Sequence, residues 1–314
     1  MQTTPDPTTT ATTLVVGEAL IDVVCSPDGS VVEHTGGSPA NVAVGLARLG
    51  HPTMLATRVG RDPRGDRIRS ALSAEGVGLT PRSDSPGRTP TATATVDASG
   101  AASYDFDLRW DVDAGLDLTG VGHLHTGSIA ATLDPGGPAV REIVRRAHHQ
   151  ATVSYDPNAR PSLMGSPAQV LSAIEELIGL SDVVKASDED AFWLLGGASP
   201  DAAAHRWAAL GPRLVVITRG RSGALALIGG EVQQFAAPAA AVVDTVGAGD
   251  SFMSGLMSGL LDAGFLGGPA ARERLRRARL ADIRPAVQRA LRCAAVTVSR
   301  PGADPPRRQE LTSA

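Results

Sequence analysis

The segment Asp244-Thr-Val-Gly-Ala-Gly-Asp-Ser-Phe252 leads directly into a helical pattern. Its glycine pair, Gly247 and Gly249, stands where that helix begins, so unpaired N–H groups and the positive end of the helix dipole predict an anion site. A carboxylate at Asp250 would lie within reach of a bound phosphate and could accept the proton of an attacking hydroxyl. The alternative is a glycine-rich turn in which Asp250 only favours the helix dipole.

A second glycine motif, Thr35-Gly-Gly-Ser-Pro-Ala-Asn41, precedes another helical pattern far upstream. Ser38 is a natural N-cap, and the proline after it suits the first helical position. Gly36 and Gly37 permit close approach of a ligand to the backbone, and Asn41 offers a polyol both a donor and an acceptor. A well-capped helix with nothing bound is the alternative.

Between and around these motifs, short apolar runs alternate with helical patterns. The predicted strands are residues 14–16, 53–57, 121–126, 152–155, 182–185 and 214–218. The predicted helices are residues 39–49, 66–75, 138–149, 167–178, 188–195 and 202–210. This alternation predicts βαβ crossovers and a mainly parallel sheet with helices on both faces. Such sheets bind ligands beyond the carboxyl ends of their strands.

Two stretches show β patterns without a helix between the strands, and they predict a small lid formed by about residues 21–34 and 89–110. We assign one α/β domain to residues 13–305. A disordered tail over residues 1–12 precedes it, and a C-terminal tail over residues 306–314 follows it.

The composition of the 314-residue chain, with 42% hydrophobic and 20% charged residues, is that of an ordinary globular protein. A net charge of −4 gives no electrostatic case for nucleic acid or a membrane as partner. The basic stretch 272–289 could form a nucleic-acid patch, but we favour a solvated helix. No apolar run approaches the roughly 20 residues that span a bilayer. Without a secretory signal or paired cysteines (Cys25 and Cys293 are far apart), we expect a cytoplasmic protein.

Lys185 is the only lysine of the chain. P-loop proteins need a lysine in a glycine loop, and protein kinases of the eukaryotic type need one on an early strand. Lys185 stands in neither context, so both folds are excluded. His123 and His125 alternate on a predicted strand, where we expect packing or hydrogen bonding rather than metal ligation.

Taken together, GGSPANVAVGLARLG and DTVGAGDSF resemble the two signatures of the ribokinase/PfkB family of carbohydrate kinases. Their order matches that family, and the resemblance extends from about Leu14 to about Ala303. It implies a ribokinase-like α/β fold: a central, mostly parallel sheet with helices on both faces and a small β-sheet lid. It also implies phosphorylation of a sugar, with ATP and Mg²⁺ bound.

On the sugar side, Asp22 resembles the family's aspartate that hydrogen-bonds sugar hydroxyls, although a plain turn residue is the alternative. Gly36, Gly37 and Asn41 would line the same pocket. The segment Tyr155-Asp-Pro-Asn-Ala-Arg160 resembles a strand end of fructokinases and 2-keto-3-deoxygluconate kinases, in which Arg160 would contact substrate or phosphate. Phe106, in the lid, could cover one face of the sugar or simply pack.

For magnesium, Lys185-Ala-Ser-Asp-Glu-Asp190 resembles the family's N-x-x-E segment, which helps hold the Mg²⁺ hydration shell. The sequence departs from it, because Ser187 replaces the asparagine and Asp190 the glutamate. A shorter carboxylate can still act through water, with Glu189 as the nearby alternative. Helix N-terminal acidity would explain the same carboxylates.

For the nucleotide, Thr218-Arg-Gly-Arg-Ser-Gly223 resembles a T-x-G-x-x-G strand end, so Thr218, Gly220 and Gly223 would line the ATP site together with Lys185. A glycine turn between strands is the alternative. Asp244 resembles a residue of the loop that binds a monovalent cation in many relatives, which suggests potassium.

The resemblance therefore predicts an ATP-dependent carbohydrate kinase in which Asp250 is the base and Gly247, Ala248 and Gly249 form the anion hole. The expected acceptor is a primary hydroxyl of fructose or a similar ketose. 2-Keto-3-deoxygluconate, ribose and nucleosides remain open, as does a phosphorylated sugar. A catalytically silent sugar- or nucleotide-binding regulator is the alternative of another class. Pairing of lids would give a homodimer.

Overall fold

The computed structural model of the protein describes residues 11–96 and 102–311. The tail predicted for residues 1–12 lies outside these ranges apart from its last two residues, and Thr12 already begins the first strand. The strands are β1 (Thr12–Val16), β2 (Leu20–Cys25), β3 (Val31–Gly36), β4 (Thr53–Ala56), β5 (Val59–Gly60), β6 (Gly78–Leu79), β7 (Asp84–Ser85), β8 (Thr91–Val96), β9 (Ala102–Asp107), β10 (Val121–Gly127), β11 (Thr152–Asp156), β12 (Val183–Ser187), β13 (Leu214–Thr218), β14 (Ala224–Ile228) and β15 (Glu231–Phe235). The helices are α1 (Ser38–Arg48), α2 (Pro63–Ala74), α3 (Gly136–His148), α4 (Pro161–Met164), α5 (Pro167–Gly179), α6 (Asp188–Leu194), α7 (Pro200–Ala208), α8 (Ala248–Asp262), α9 (Pro269–Arg277) and α10 (Leu280–Val298).

The main sheet has the strand order β15-β14-β13-β12-β11-β10-β1-β4-β6. Neighbours from β6 to β13 run parallel, which confirms the mostly parallel sheet. The last two strands, β14 and β15, run antiparallel and extend one edge of the sheet. These two strands are not among the elements predicted from the sequence.

Both faces of the main sheet are covered, as the apolar runs predicted. In β1, Leu14 and Val16 pack into one core, whereas Val15 packs into the other. Helices α3, α5, α6 and α7 contribute buried side chains to the first core, and α1, α2, α8 and α10 contribute to the second. Because side chains alternate between faces, a strand buried on both sides is apolar at nearly every position.

Helix α8 is the central helix of the second layer, and it fits closely against α10. A Cβ atom added at Gly259 would lie 2.5 Å from Ala286 Cα, and one at Gly255 would lie 2.9 Å from Ala290 Cα. Only glycine allows this distance between the helices. The start of α8 is therefore held in place by packing along its length.

The predicted lid is a separate sheet with the strand order β3-β2-β8-β9. Asp22 of β2 pairs with His34 of β3 on one side and with Ala92 of β8 on the other. Ala92 in turn pairs with Phe106 of β9. Since residues in one cross-strand row project from the same face, Asp22, His34 and Phe106 share a face of the lid.

The C-terminal part of the chain packs against the domain in two places. The basic stretch 272–289 spans two helices, α9 and α10, and its Ile283 and Val287 are fully buried rather than solvated. Beyond residue 305, a short 3₁₀ turn (Arg308–Leu311) packs against the domain, with Leu311 buried beside Leu49. Amphipathic helices bury one face, and the count of arginines does not reveal that face.

Candidate active site

The two glycine motifs meet at Asp250. This residue is only 7% exposed and lies in the first turn of α8. Ser38 Oγ donates a hydrogen bond to one carboxylate oxygen of Asp250 at 2.7 Å. Asn41 Nδ2 donates to the other carboxylate oxygen at 2.8 Å. The structure thus brings residues from the starts of α1 and α8 together around one carboxylate.

Glycines are required at the start of α8 by the close packing there. Gly247 has a left-handed φ of 73°, and a Cβ at that position would lie 2.5 Å from the Ala303 side chain. A Cβ at Gly249 would lie 3.1 Å from Lys185 Nζ. No side chain caps this helix. Ala248 N donates to the Thr245 carbonyl at 3.3 Å, so the amides of Gly249 and Asp250 are the donors of the first turn that remain for a ligand. This turn can therefore bind an anion.

Lys185 lies beneath the anion-binding turn and is 3% exposed. Its Nζ donates to Asp156 Oδ2 at 2.8 Å, an ion pair that is nearly excluded from solvent. Burial opposes the charge of Lys185, but Asp156, Asp190 and Asp250 together raise its pKa, so it stays protonated. Burial raises the pKa of Asp156 to about 6, against the opposite pull of the lysine.

The lid contributes Asp22 to the same site. A Cβ at Gly36 would lie 2.0 Å from Asp22 Oδ2, so the missing side chain makes room for this carboxylate. Gly37 has a φ of 101°, and a Cβ added there would lie 2.5 Å from the Glu18 carbonyl oxygen. Burial raises the pKa of Asp22, and the nearby charge of Asp250 raises it further.

Arg160 follows β11 and is exposed. Its Nη1 donates to the backbone carbonyl and the side-chain oxygen of Asn158, so the Arg160 side chain folds back against the loop that carries it. Its positive charge nevertheless lowers the pKa of both Asp22 and Glu18, against the larger effect of burial, so its charge lies near these two carboxyl groups. Glu18 is 3% exposed, accepts a hydrogen bond from Ala130 N at 3.2 Å, and has its pKa raised to about 7 by burial.

The residues expected at the nucleotide divide into two kinds. Thr218 ends β13 and is half-buried, and Gly220 has open space where a side chain would be. Gly223 is buried, and a Cβ there would lie 1.9 Å from the Phe235 carbonyl oxygen. Thr218 and Gly220 therefore offer surface to a ligand, whereas Gly223 is required by the packing of β15.

The expected metal residues have mostly structural contacts. Asp190 accepts hydrogen bonds from Ser187 N at 3.0 Å and from Ala159 N at 2.8 Å, which engages both oxygens. Asp244 likewise accepts from the amides of residues 246 and 302, and these bonds lower its pKa. Glu189 is exposed. Within residues 11–96 and 102–311, no group of three or more His, Cys, Asp or Glu could hold a metal ion.

Among known protein families, the pfkB family of carbohydrate kinases matches residues 10–310. The chain belongs to the PfkB family of carbohydrate kinases. It is 35% identical to a fructokinase of Klebsiella pneumoniae over 78% of this chain and 83% of the relative, and 32% identical to one of Escherichia coli over 95% and 97%. A fructokinase double mutant of Vibrio cholerae O395, solved with fructose, ADP and potassium, superposes with a TM-score of 0.80 at 28% identity, covering 97% and 98% of the two chains.

For this PfkB family member, the ribokinase-like fold and the class of enzyme, a carbohydrate kinase, are thereby confirmed. The hydrogen bonding predicted for the strand histidines is also confirmed, because His123 and His125 both contact Ser154 Oγ, at 2.9 and 3.0 Å. Across the part of the chain that the structure describes, no helix has the length and apolarity that crossing a bilayer requires.

Three residues at this site have contacts that the sequence patterns did not predict. Ser38 was interpreted as an N-cap, but Gly37 is the cap and Ser38 is the first helical residue. Glu18 lies between β1 and β2, the strand that carries Asp22, and only its burial reveals it. His34 pairs with Asp22 across the lid, and its charge lowers the pKa of that carboxylate. A strand register, had it been known, would have indicated His34.

Proposed function

We propose that the protein transfers the γ-phosphoryl group of ATP to a primary hydroxyl of a small sugar. The observation that carries this proposal is the placement of the Asp250 carboxylate at an uncapped helix start. An acceptor for a proton and donors for a phosphate then lie within one turn of α8. Such a pairing has no use in a protein that only binds its ligands.

In this proposal Asp250 accepts the proton of the sugar hydroxyl as that hydroxyl attacks the phosphorus. The N–H groups of Gly249 and Asp250 stabilise charge on the transferring group, and the buried ammonium of Lys185 adds positive charge beneath them. Mg²⁺, when bound with ATP, would neutralise phosphate charge. The exposed Glu189 could reach its water shell, which suits an ion that keeps several waters. Asp190 and, for potassium, Asp244 are weaker proposals because their oxygens already accept amide hydrogens.

Fructose or a similar ketose is the acceptor that we propose. Asp22 and Asn41 would hydrogen-bond its hydroxyls, and Phe106 shares the Asp22 face of the lid, where it could cover a sugar ring. The fructokinases among the relatives support this choice. Closure of the lid would exclude water from the transfer. Arg160 would contact the sugar once its side chain released the hydrogen bonds to Asn158.

A homodimer through the lid is a further part of the proposal. Strand β3 lies at an edge of the lid sheet, and its Val31 and Val32 are 59% and 46% exposed. An exposed, apolar edge strand readily pairs with another chain. Size-exclusion chromatography with light scattering, run with Val31→Lys as a control, would test the pairing.

The test of the function is ADP release with ATP, Mg²⁺ and a panel of acceptors. The panel contains fructose, ribose, 2-keto-3-deoxygluconate, fructose 6-phosphate and a nucleoside. We expect fructose to stimulate ADP release most, and Asp250→Asn to lower kcat by about 10²–10⁴-fold because an amide cannot accept the proton. A regulator without catalysis would release no ADP above background with any acceptor. Equal rates for the Asn variant and wild type would remove Asp250 from the mechanism.

A further inference from the structure

Helices α1 and α8 are joined along a seam of small and hydroxyl-bearing residues. Ser38, Asn41 and Gly45 lie on one face of α1, because positions three and four apart are neighbours on a helix. A Cβ added at Gly45 would lie 2.3 Å from Ser254 Oγ, one turn after Asp250 on α8. The seam therefore fixes where the start of α1 stands relative to the carboxylate.

The hydroxyl of Ser38 has no role in its own helix. Gly37 is the N-cap of α1, and no side chain forms a cap hydrogen bond there. Within the described residues, Ser38 Oγ donates its hydrogen bond to Asp250 Oδ1.

The direction of this hydrogen bond follows from chemistry. An ionised carboxylate only accepts, so Ser38 is the donor, as is the Asn41 amide nitrogen. The two donors contact different oxygens of Asp250, which prevents rotation of the carboxylate about its Cβ–Cγ bond. A carboxylate has about four lone-pair positions, so positions remain for the hydroxyl of a substrate.

We propose that Ser38 is a positioning residue for phosphoryl transfer, whose hydroxyl works with Asn41 to hold the Asp250 carboxylate aimed at the reacting hydroxyl. This inference rests on the proposed function, because it assigns Ser38 a task within the same reaction. Ser38 acts through Asp250, and the residues expected at the nucleotide, Thr218 and Gly220, stand at the far end of another strand, β13, and in the turn after it. Its removal therefore changes turnover without changing the use of ATP.

The experiment compares wild type with Ser38→Ala, Ser38→Thr and Ser254→Ala. Ser254 is the matched control, since its hydroxyl lies on the same seam but donates within α8, to the Ser251 carbonyl. For each protein, kcat and the KM values for sugar and ATP are measured by coupled ADP release. Thermal unfolding midpoints are measured on the same preparations.

We expect Ser38→Ala to lower kcat about tenfold, which corresponds to one hydrogen bond to a charged group. Its KM for ATP and its unfolding midpoint should match wild type. Ser38→Thr, which keeps the hydroxyl, should recover most of the rate, and Ser254→Ala should retain it.

Several results would overturn the proposal. A wild-type kcat for Ser38→Ala would remove the positioning role alone and leave the proposed function intact. Equal losses in Ser38→Ala and Ser254→Ala, or a lowered midpoint that accompanies the slower rate, would assign the effect to the packing of the seam. A Thr variant as slow as the Ala variant would mean that the hydroxyl does not matter. Absence of sugar-dependent ADP release in wild type would overturn the proposed function, and this inference with it.

Discussion

Helices α6 and α8 carry an aspartate at the same position, three residues after the N-cap, and use it in opposite ways. In α6, Asp190 folds back to accept a hydrogen bond from the amide of the N-cap, Ser187, and Ser187 Oγ accepts one from Asp190 N at 2.9 Å. In α8 the N-cap is Gly247, which has no side chain, and Asp250 points across to α1. One helix start is closed by its own residues, and the other is open.

This difference teaches how a phosphate site is selected within one fold. Both helix starts have the positive end of a helix dipole. They are also close to each other, because Lys185 of β12, the strand that leads into α6, contacts the start of α8 at Gly249. The reciprocal capping box of α6 engages amides that an anion would need, whereas no side chain caps the start of α8. The N-cap residue, serine or glycine, separates the aspartate that caps its own helix from the aspartate proposed as the base.

The largest effect on this comparison is expected from Lys185→Met, because Lys185 lies between the two helix starts. Its removal leaves Asp156, 1% exposed, without a counter-charge, and we expect a loss of about 3–5 kcal/mol in the free energy of unfolding at pH 7. Urea unfolding measures this loss. The loss should shrink as the pH falls, because Lys185 lowers the pKa of Asp156 in wild type, so the variant takes up a proton on Asp156 at a higher pH.

The matched control is Arg145→Met, which breaks an exposed ion pair with Glu176 and should cost under about 1 kcal/mol. Replacing Asp156 by Asn in the Lys185→Met background should recover part of the stability, because no unpaired charge would then remain. A Lys185→Met protein as stable as the Arg145 control would mean that the buried pair contributes nothing.

Gly247→Ala tests whether the open helix start depends on the glycine. The left-handed φ and the approach of the Ala303 side chain both oppose a Cβ atom, so the first turn of α8 should shift. We expect kcat/KM for ATP to fall by about 10²–10³-fold, the usual effect of losing a preorganised donor for developing charge. Steady-state ADP release measures it.

Gly76→Ala is the control for backbone strain alone. Gly76 has a φ of 76°, and a Cβ there would meet nothing within 4 Å. This variant should lose about 1 kcal/mol of stability and keep wild-type kinetics. If Gly247→Ala behaved in the same way, the anion site would not depend on the close packing of that turn.

A third carboxylate at this edge of the sheet is Glu18, which accepts a hydrogen bond from Ala130 N in the 3₁₀ turn Ser128–Ala131. Burial raises the pKa of Glu18 from 4.5 to about 7. The folded protein therefore binds a proton more tightly than the unfolded chain, and this contribution is complete below pH 4.5. It is lost as the pH rises to about 7, which lowers the free energy of unfolding by about 2–3 kcal/mol relative to Glu18→Gln. Urea unfolding of both proteins from pH 4.5 to 8 measures the difference, and parallel curves would contradict it.

The sequence predicted the layers of this fold well because buried parallel strands are apolar on both faces, as in β1. The exposed edge strand β15 was not assigned because it is largely polar, whereas β14 is apolar at every position and its pattern could have indicated a strand. The helix boundary at Ser38 shifted by one residue because Gly37 adopted the cap conformation. Local patterns decide the type of an element, whereas neighbours decide its ends.

The site was predicted in its composition but not in its contacts. The spacing around Asp250 indicated a helix start, yet nothing in that segment indicates that its carboxylate meets Ser38 and Asn41. Asp190 was assigned to metal on a resemblance, and its hydrogen bonds are those of a cap. A side chain's direction depends on acceptors and donors from distant segments, and these become neighbours only in the folded chain.

The smallest effect separates two neighbouring carboxylates of α6. Because Asp190 caps the helix, Asp190→Asn should lower the free energy of unfolding by about 1 kcal/mol and leave the Mg²⁺ dependence of the rate unchanged. Glu189 is exposed and accepts no such bonds, so Glu189→Gln should keep wild-type stability and raise the Mg²⁺ concentration for half-maximal rate about threefold, as lost water-mediated contacts do. Mg²⁺ titrations at fixed ATP, beside urea unfolding, measure both. The reverse pattern would make Asp190 the residue of the metal shell, and the closed start of α6 would then take part in catalysis as well.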